Sequence, residues 1–135
     1  LDSICSVCEY QEPLPLNDIA KKLDAEVVYG RTDITIWGYT LIDSLKAIVE
    51  MLPDQFQKIY GRSTARALIF TGVHTGRSSM VAVRVSNLKP GAVVLQGMEP
   101  VDVDPIAVRI AEVENIPLLT THFSVDEITS ALSKG

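Results

Sequence analysis

The sequence predicts a single α/β domain with a mostly parallel β-sheet flanked by helices. The chain has 135 residues, which is the size of one domain with a substantial hydrophobic core. Residues 67–70 and 92–95 are continuous apolar runs, as expected of strands buried on both faces of a parallel sheet. The second half reads strand–helix–strand–helix–strand–helix, an alternation that favours parallel pairing through right-handed crossovers.

The first half predicts a polar lead-in, residues 1–13, followed by the domain proper, residues 14–135. The apolar spacing from Leu41 to Leu52 is helical, and Pro53 would end that helix. The other elements expected here are a short helix capped by Asn17, strands over 25–29 and 34–39, and a short helix over 54–60.

Helix start signals are clearest in the second half. Asp104 precedes Pro105, and Ser124 with Glu127 forms a Ser-x-x-Glu capping box. Ser78 or Ser79 is expected to cap a helix that runs to Val85. A helix after Asp104 should stop before Asn115, and residues 116–120 should form the last strand.

Charge is distributed unevenly along the chain, whose net charge is −5. Residues 55–98 contain no acid and six bases, namely Lys58, Arg62, Arg66, Arg77, Arg84 and Lys89. This block would suit an anionic ligand or an acidic partner, whereas the alternative is that its bases pair with acids of the flanking segments. The net charge argues against non-specific nucleic-acid binding, and the absence of a long apolar run argues against a membrane span. We therefore expect a cytoplasmic protein.

Cys5 and Cys8 form a Cys-x-x-Cys pair in the lead-in. Such a pair supplies half of a tetrahedral zinc site, and neither histidine has the spacing of a further ligand. A linker remnant, or half of a site completed elsewhere, fits better than a metal centre within the chain. No metal and no cofactor are therefore expected.

Ligands of parallel α/β sheets bind at the carboxyl ends of the strands. The segment after the strand at 67–70 is rich in glycine and hydroxyl groups and carries an arginine where a helix begins, which suits an anion. The candidate ligand-binding residues are Thr71, Gly72, His74, Thr75, Gly76, Arg77, Ser78 and Gly97. The alternative is an ordinary glycine-containing turn.

Catalytic patterns are incomplete. The spacing from Gly72 to Gly76 is one residue short of a Walker A loop, and Arg77 replaces its lysine. His74 and His122 could face each other across the strand ends, but no nucleophile elbow or orienting acid accompanies them. A cluster of three acids is explained as well by a helix cap as by a divalent ion; its members are Glu99, Asp102 and Asp104. We therefore expect a protein that binds rather than an enzyme.

From Ala65 to Leu132 the order of motifs resembles the DRTGG domain, which is akin to the N-terminal domain of HPr kinase/phosphorylase. The motifs are Leu68-Ile-Phe-Thr-Gly72 with Arg77 after it, Leu88-x-Pro-Gly-Ala-Val-Val-Leu95, Gly97-x-x-Pro100 and Ile116-Pro-Leu-Leu-Thr120, with an earlier Ile34-Thr-Ile-x-Gly38. Gly76 stands where the family usually has an aspartate, and Met98 where it has a second glycine.

The resemblance implies a regulatory or accessory module that dimerises and has no catalysis of its own. Members of the family are fused to CBS, phosphotransacetylase or dethiobiotin-synthetase-like domains, and some are associated with adenine-nucleotide sensing. We therefore expect a homodimeric domain, alone or fused to another domain, that binds a small anionic ligand. The alternatives are a dimerisation scaffold without a ligand and an enzyme that uses His74 or His122.

Overall fold

The structure of the protein is a computed structural model that describes residues 4–44 and 58–133. Within these residues six strands form one sheet. Their bounds are β1 Ile4–Pro15, β2 Glu26–Tyr29, β3 Thr35–Asp43, β4 Ala67–Thr71, β5 Ala92–Gln96 and β6 Leu118–Thr121. Four helices accompany them, α1 Leu16–Lys22, α2 Arg77–Val85, α3 Pro105–Glu114 and α4 Val125–Leu132.

The strand order across the sheet is β1-β3-β4-β5-β6-β2. The four central strands are parallel, and each edge strand is antiparallel to its neighbour. Consecutive central strands are therefore neighbours, which brings all their carboxyl ends to one edge of the sheet. The α/β class with a mostly parallel sheet is confirmed.

Alternate residues of the central strands lie in two hydrophobic layers, one on each face of the sheet. Leu68 and Phe70 pack on one face with α2 and α3, whereas Ala67 and Ile69 pack on the other face with α1 and α4. This burial on both faces explains the unbroken apolar runs of β4 and β5. Each buried Leu, Ile or Phe side chain contributes about 1.5–3 kcal/mol to folding.

The helix signals of the second half are confirmed in two of three cases. Asp104 accepts a hydrogen bond from the Ile106 amide with Pro105 at the first helical position, and Ser124 with Glu127 forms the reciprocal capping box. The predicted serine cap of α2 is wrong. Its N-cap is Gly76, at φ 82°, and no side chain caps the helix.

The first half differs from the sequence prediction in two places, at β1 and at the end of β3. Residues 4–13, expected as a lead-in, belong to β1, whose pairing with β3 is interrupted by irregularities that disguise its alternation. Leu41 and Ile42 continue β3 rather than beginning a helix, because they pair with β4 and are buried between the layers. The rest of that predicted helix, and most of the one over 54–60, lies outside the described residues. Helix α1 begins at Leu16 rather than after Asn17.

An arginine buried beside the β1–β3 pair joins the edge strand to the sheet. Arg66 is fully buried and forms an ion pair with Glu9 of β1. Its guanidinium also donates to the carbonyls of Ser63 and Tyr39 and to the hydroxyl of Thr40. This member of the acid-free block therefore belongs to the structural core and is not available to a ligand.

Candidate functional site

A small open cleft of about 160 Å³ lies at the carboxyl edge of β3 and β4, beside the start of α2. Its lining residues are Ser44, Gly72, Val73, His74, Thr75, Gly76, Ser78 and Ser79. Five of the eight predicted ligand-binding residues are among them. The cleft is therefore where sequence reasoning placed a binding site.

The N-terminus of α2 faces this cleft, and among the described residues the only side-chain acceptor for its first amide is weak, the Thr75 hydroxyl at 3.5 Å from the Arg77 nitrogen. The first helical hydrogen bond runs from the Met80 amide to the Gly76 carbonyl, so the amides of the preceding turn have no helical acceptor. No acidic residue lies in the first turn. The partial positive charge of the helix start is therefore not neutralised by a neighbouring carboxylate, which favours an anion.

Gly76 fixes the approach of the cleft loop to the sheet. Its φ of 82° is a left-handed conformation, and a Cβ atom there would lie 2.5 Å from Leu95 Cδ1. The adjoining carbonyl of Thr75 accepts a 2.9 Å hydrogen bond from the Asp104 amide, just before α3. The loop is therefore held both by packing on β5 and by a bond to the start of α3.

Two buried serines form the wall of the cleft. Ser44 follows β3, Ser79 lies in the first turn of α2, and their Oγ atoms are 3.5 Å apart. A hydrogen bond of this length is weak, so each hydroxyl can still donate to a ligand. Ser44 was missed by sequence reasoning because Leu41 and Ile42 fitted a helical stripe. The sequence feature that could have identified Ser44 is its place directly after the end of a strand, as a small polar residue.

The remaining predicted residues have different positions. Thr71 is buried, and its hydroxyl donates to the Ile42 carbonyl at 3.2 Å, so that it joins strands rather than facing the cleft. Arg77 is exposed in the first turn of α2, and no partner for its side chain is found among the described residues. Gly97 lies at the end of β5, outside the cleft lining, and a Cβ atom added to it would have no neighbour within 4 Å.

The two histidines do not form a pair. His74 lines the cleft, whereas His122, after β6, bonds Asp24 with an Nε2–Oδ2 distance of 3.0 Å. The hydrogen bond to the Asp24 carboxylate raises the pKa of His122 above its usual value. The structure therefore offers no basis for a histidine dyad at the strand ends.

The acidic cluster is used in backbone capping. The Glu99 amide donates to Asp102 Oδ2 at 3.4 Å, and Asp104 Oδ1 accepts from the Ile106 amide at 2.7 Å. Among the described residues there is no group of three His, Cys, Asp or Glu side chains arranged to hold a metal ion. Cys5 is exposed and Cys8 half-buried on β1, and both are free thiols.

The acid-free block does not form one basic patch. Arg66 pairs with Glu9, and Lys89 pairs with Glu114 at 3.0 Å. Arg77 and Arg84 are exposed at opposite ends of α2. The alternative of pairing with the flanking acids therefore holds for two of the bases, and Arg77 is the base nearest the cleft.

Two curated relatives match nearly the whole chain. One, from Methanocaldococcus jannaschii, is named an uncharacterized HTH-type transcriptional regulator and is 47% identical over 135 residues, covering 99% of this chain and 56% of its own length. The other, from Archaeoglobus fulgidus, carries the same description and is 43% identical over 132 residues, covering 98% and 57%. The chain thus spans little more than half the length of these relatives. No protein-family model matches it.

One solved structure shares the fold. It is the crystal structure of the CBS and DRTGG domains of the regulatory region of Clostridium perfringens pyrophosphatase, complexed with the activator diadenosine tetraphosphate. The TM-score is 0.60 at 14% identity, over 87% of this chain and 45% of that one. The resemblance seen in the motifs thus extends to a solved protein that contains a DRTGG domain, at the level of fold.

These findings change one expectation. Relatives named as HTH-type transcriptional regulators do not support the exclusion of nucleic acid as a partner of the longer proteins. They do agree with a regulatory domain rather than an enzyme. No helix among the described residues is long and apolar enough to cross a membrane.

Proposed function

We propose that this chain is the effector-sensing domain of a helix-turn-helix transcriptional regulator, and that it binds a small anionic ligand in the cleft between β3, β4 and α2. The observation that carries the proposal is the weakly capped, acid-free start of α2 facing that cleft. The relatives supply the regulatory context, since they are named transcriptional regulators. An adenine nucleotide is one candidate ligand, and a cytoplasmic location follows from such a role.

Each part of the cleft has a distinct role in this proposal. The amides of the first turn of α2 and the hydroxyls of Ser44 and Ser79 bind the anionic group, because they are donors without strong competing acceptors. Arg77 adds a full positive charge at the rim, and His74 adds a ring nitrogen. Gly72 lets the backbone approach the ligand closely, because a Cβ atom there would have no protein neighbour within 4 Å.

Calorimetric titration with inorganic phosphate and with AMP tests the proposal. Wild-type protein should bind, and Arg77→Ala should weaken phosphate binding by about tenfold, the loss of one charge-assisted contact. Arg84→Ala is the matched control, since it removes an exposed arginine from the other end of the same helix. Absence of binding to either probe, or equal weakening by both substitutions, would contradict the anion site.

A second candidate function is a homodimerisation module without a ligand. It is favoured by exposed aliphatic side chains on α2 and α3, which are Val81, Val85, Ile106 and Val113. Val81 and Val85 are one helical turn apart, and exposed apolar patches mark contact sites between proteins. On this alternative, Arg77→Ala leaves function intact, whereas Val85→Lys converts a dimer to a monomer in native mass spectrometry. A monomeric wild-type protein would exclude it.

A further inference from the structure

The two cysteines of the chain lie near each other on the edge strand β1, and both are free thiols. Cys5 is exposed and Cys8 is half-buried. The register of β1 on β3 shifts between Ile4 and Ser6, where β1 has one residue more than β3. Cys5 is therefore the extra residue of a β-bulge, and regular pairing begins at Ser6. The lining of the cleft includes neither thiol.

The paired strand holds the two cysteines too far apart for a disulfide. A disulfide needs a Cα–Cα separation of about 4.4–6.8 Å. Three residues of regular strand span about 10 Å, and the bulge shortens only the step from Cys5 to Ser6. Ser6, Val7 and Cys8 each have a partner on β3. Joining Cys5 to Cys8 therefore requires this part of β1 to leave β3.

Contacts at Cys8 and at the residue after it oppose that movement. A Cβ atom on Gly38 of β3 would overlap the Cys8 carbonyl oxygen, so the two backbones are in close contact there. The same oxygen accepts a 3.4 Å hydrogen bond from Arg66 Nη1. Glu9 forms the ion pair with the fully buried Arg66 and accepts from the Arg62 amide. A shift of the Cys8 backbone would therefore pull Glu9 away from a buried guanidinium.

We infer that Cys5 and Cys8 form a thiol switch, in which oxidation by hydrogen peroxide to an intramolecular disulfide releases β1 from β3. The exposed Cys5 thiol attacks a peroxide oxygen, which gives a sulfenic acid and one molecule of water. The Cys8 thiol then attacks the sulfenic sulfur, and the disulfide forms as a second water leaves. The two thiols lose two electrons and two protons, which the peroxide takes up. The disulfide and the paired strand exclude each other, so each destabilises the other.

This exclusion should appear in the stability of the disulfide. Because the fold opposes the bond, the folded protein should need a more oxidising glutathione mixture than the same chain in concentrated urea. Glu9→Gln removes the ion pair and leaves both thiols, so it should shift the folded midpoint by about tenfold in the glutathione ratio towards the unfolded value. Glu12→Gln, an exposed change on the same strand, is the control and should not shift it.

Hydrogen–deuterium exchange before and after treatment with hydrogen peroxide tests the release directly. Alkylation and intact mass first identify the monomer whose two thiols have become a disulfide. That species should exchange about tenfold faster over residues 6–9 and 38–41, while β5 and β6 keep their protection. Dithiothreitol should restore the original exchange. Cys5→Ser cannot form the disulfide, so the same treatment should leave its exchange unchanged, which also controls for methionine oxidation.

Several outcomes overturn the switch. An intramolecular disulfide with unchanged exchange over β1 would show that the paired strand accommodates the bond. Thiols that stay free to alkylate, or that join only between two chains, contradict the inference as well. It also fails if folded and unfolded protein have the same midpoint, or if Cys5→Ser loses protection as the wild type does. If Glu9→Gln does not fold, Glu9→Asp replaces it with the same direction expected. None of these outcomes depends on the anion site.

Discussion

At the scale of single residues, the two glycines of the cleft loop differ in what surrounds them. Both Gly72 and Gly76 have positive φ, but only Gly76 lies against another residue, with a Cβ position 2.5 Å from Leu95 Cδ1. A left-handed conformation costs an alanine about 1–2 kcal/mol, and forced overlap in a packed site adds about 1–3 kcal/mol. The backbone conformation thus disfavours a side chain at both positions, whereas packing against a neighbouring residue excludes one only at Gly76.

We therefore expect Gly76→Ala to lower the free energy of unfolding by roughly 2–4 kcal/mol, and Gly72→Ala by roughly 1–2 kcal/mol. Urea unfolding of both variants beside the wild type would measure the difference. Equal losses would show that Leu95 moves aside freely and that the loop is not held by its contact with β5.

The ion pair between Glu9 and Arg66 makes a pH-dependent contribution. Burial alone would raise the pKa of Glu9, but the hydrogen bonds from the Arg62 amide and the Arg66 guanidinium, with their charges, hold it below its usual value of 4.5. Because the folded-state pKa is the lower one, the stabilisation is fully present above pH 4.5. It is lost as the pH falls through the folded-state pKa.

Glu9→Gln should accordingly lower the free energy of unfolding at pH 7 by roughly 1–3 kcal/mol, since a buried guanidinium loses its charged partner. The difference from wild type should shrink below pH 4.5. Glu12→Gln, an exposed change on the same strand, is the control and should have little effect at either pH. A Glu9→Gln difference that stays constant down to about pH 3 would contradict the assignment.

At the scale of elements, the cap of α3 can be removed with or without the bond between the cleft loop and the start of that helix. Asp104 supplies both, since its amide donates to Thr75 and its carboxylate caps the helix. Its φ of −58° and ψ of 132° are accessible to proline, and Val103 before it has a ψ of 129°, which a following proline permits.

Asp104→Ala should lower the free energy of unfolding by about 1 kcal/mol through loss of the cap. Asp104→Pro loses the cap and the amide donor, and its Cδ also crowds the Thr75 carbonyl that accepted from the amide, so we expect a further loss of more than about 1 kcal/mol. Asp104→Ser, which keeps both, should resemble the wild type. Equal stability of the alanine and proline variants in urea unfolding would mean that the bond to Thr75 contributes nothing.

Elements could be predicted from the sequence where local signals and burial agree. The strands β4 and β5 and the helix α4 are of this kind, because an apolar run or a capping box identifies each alone. Prediction failed at β1, where irregular pairing breaks the alternation, and at Leu41, where a buried strand end has the spacing of a helix. The cleft loop was found by its composition. Ser44 was not, because its position depends on where β3 ends.

At the scale of the whole molecule, the charge of the chain bears on whether the proposed sensing domain would itself contact DNA. Non-specific DNA binding requires a clustered basic surface, whereas this chain has a net charge of −5 and two of the bases in its acid-free block are paired with carboxylates. The relatives are nearly twice as long as the match. We therefore assign contact with DNA, in a regulator of this kind, to the part of the relatives beyond the match.

We expect the present chain to show no binding to a fluorescent DNA duplex of about 20 bp in anisotropy at about 50 mM salt, because few phosphates could be neutralised. The full-length M. jannaschii relative should bind the same duplex, with an affinity that falls steeply as salt increases. Adding AMP should shift the DNA affinity of the full-length protein only if the sensing domain binds it, because the two equilibria are linked. Salt-dependent binding of the duplex by the present chain, weakened by Arg77→Ala or Arg84→Ala, would instead place DNA on α2 and would compete with the ligand role of Arg77.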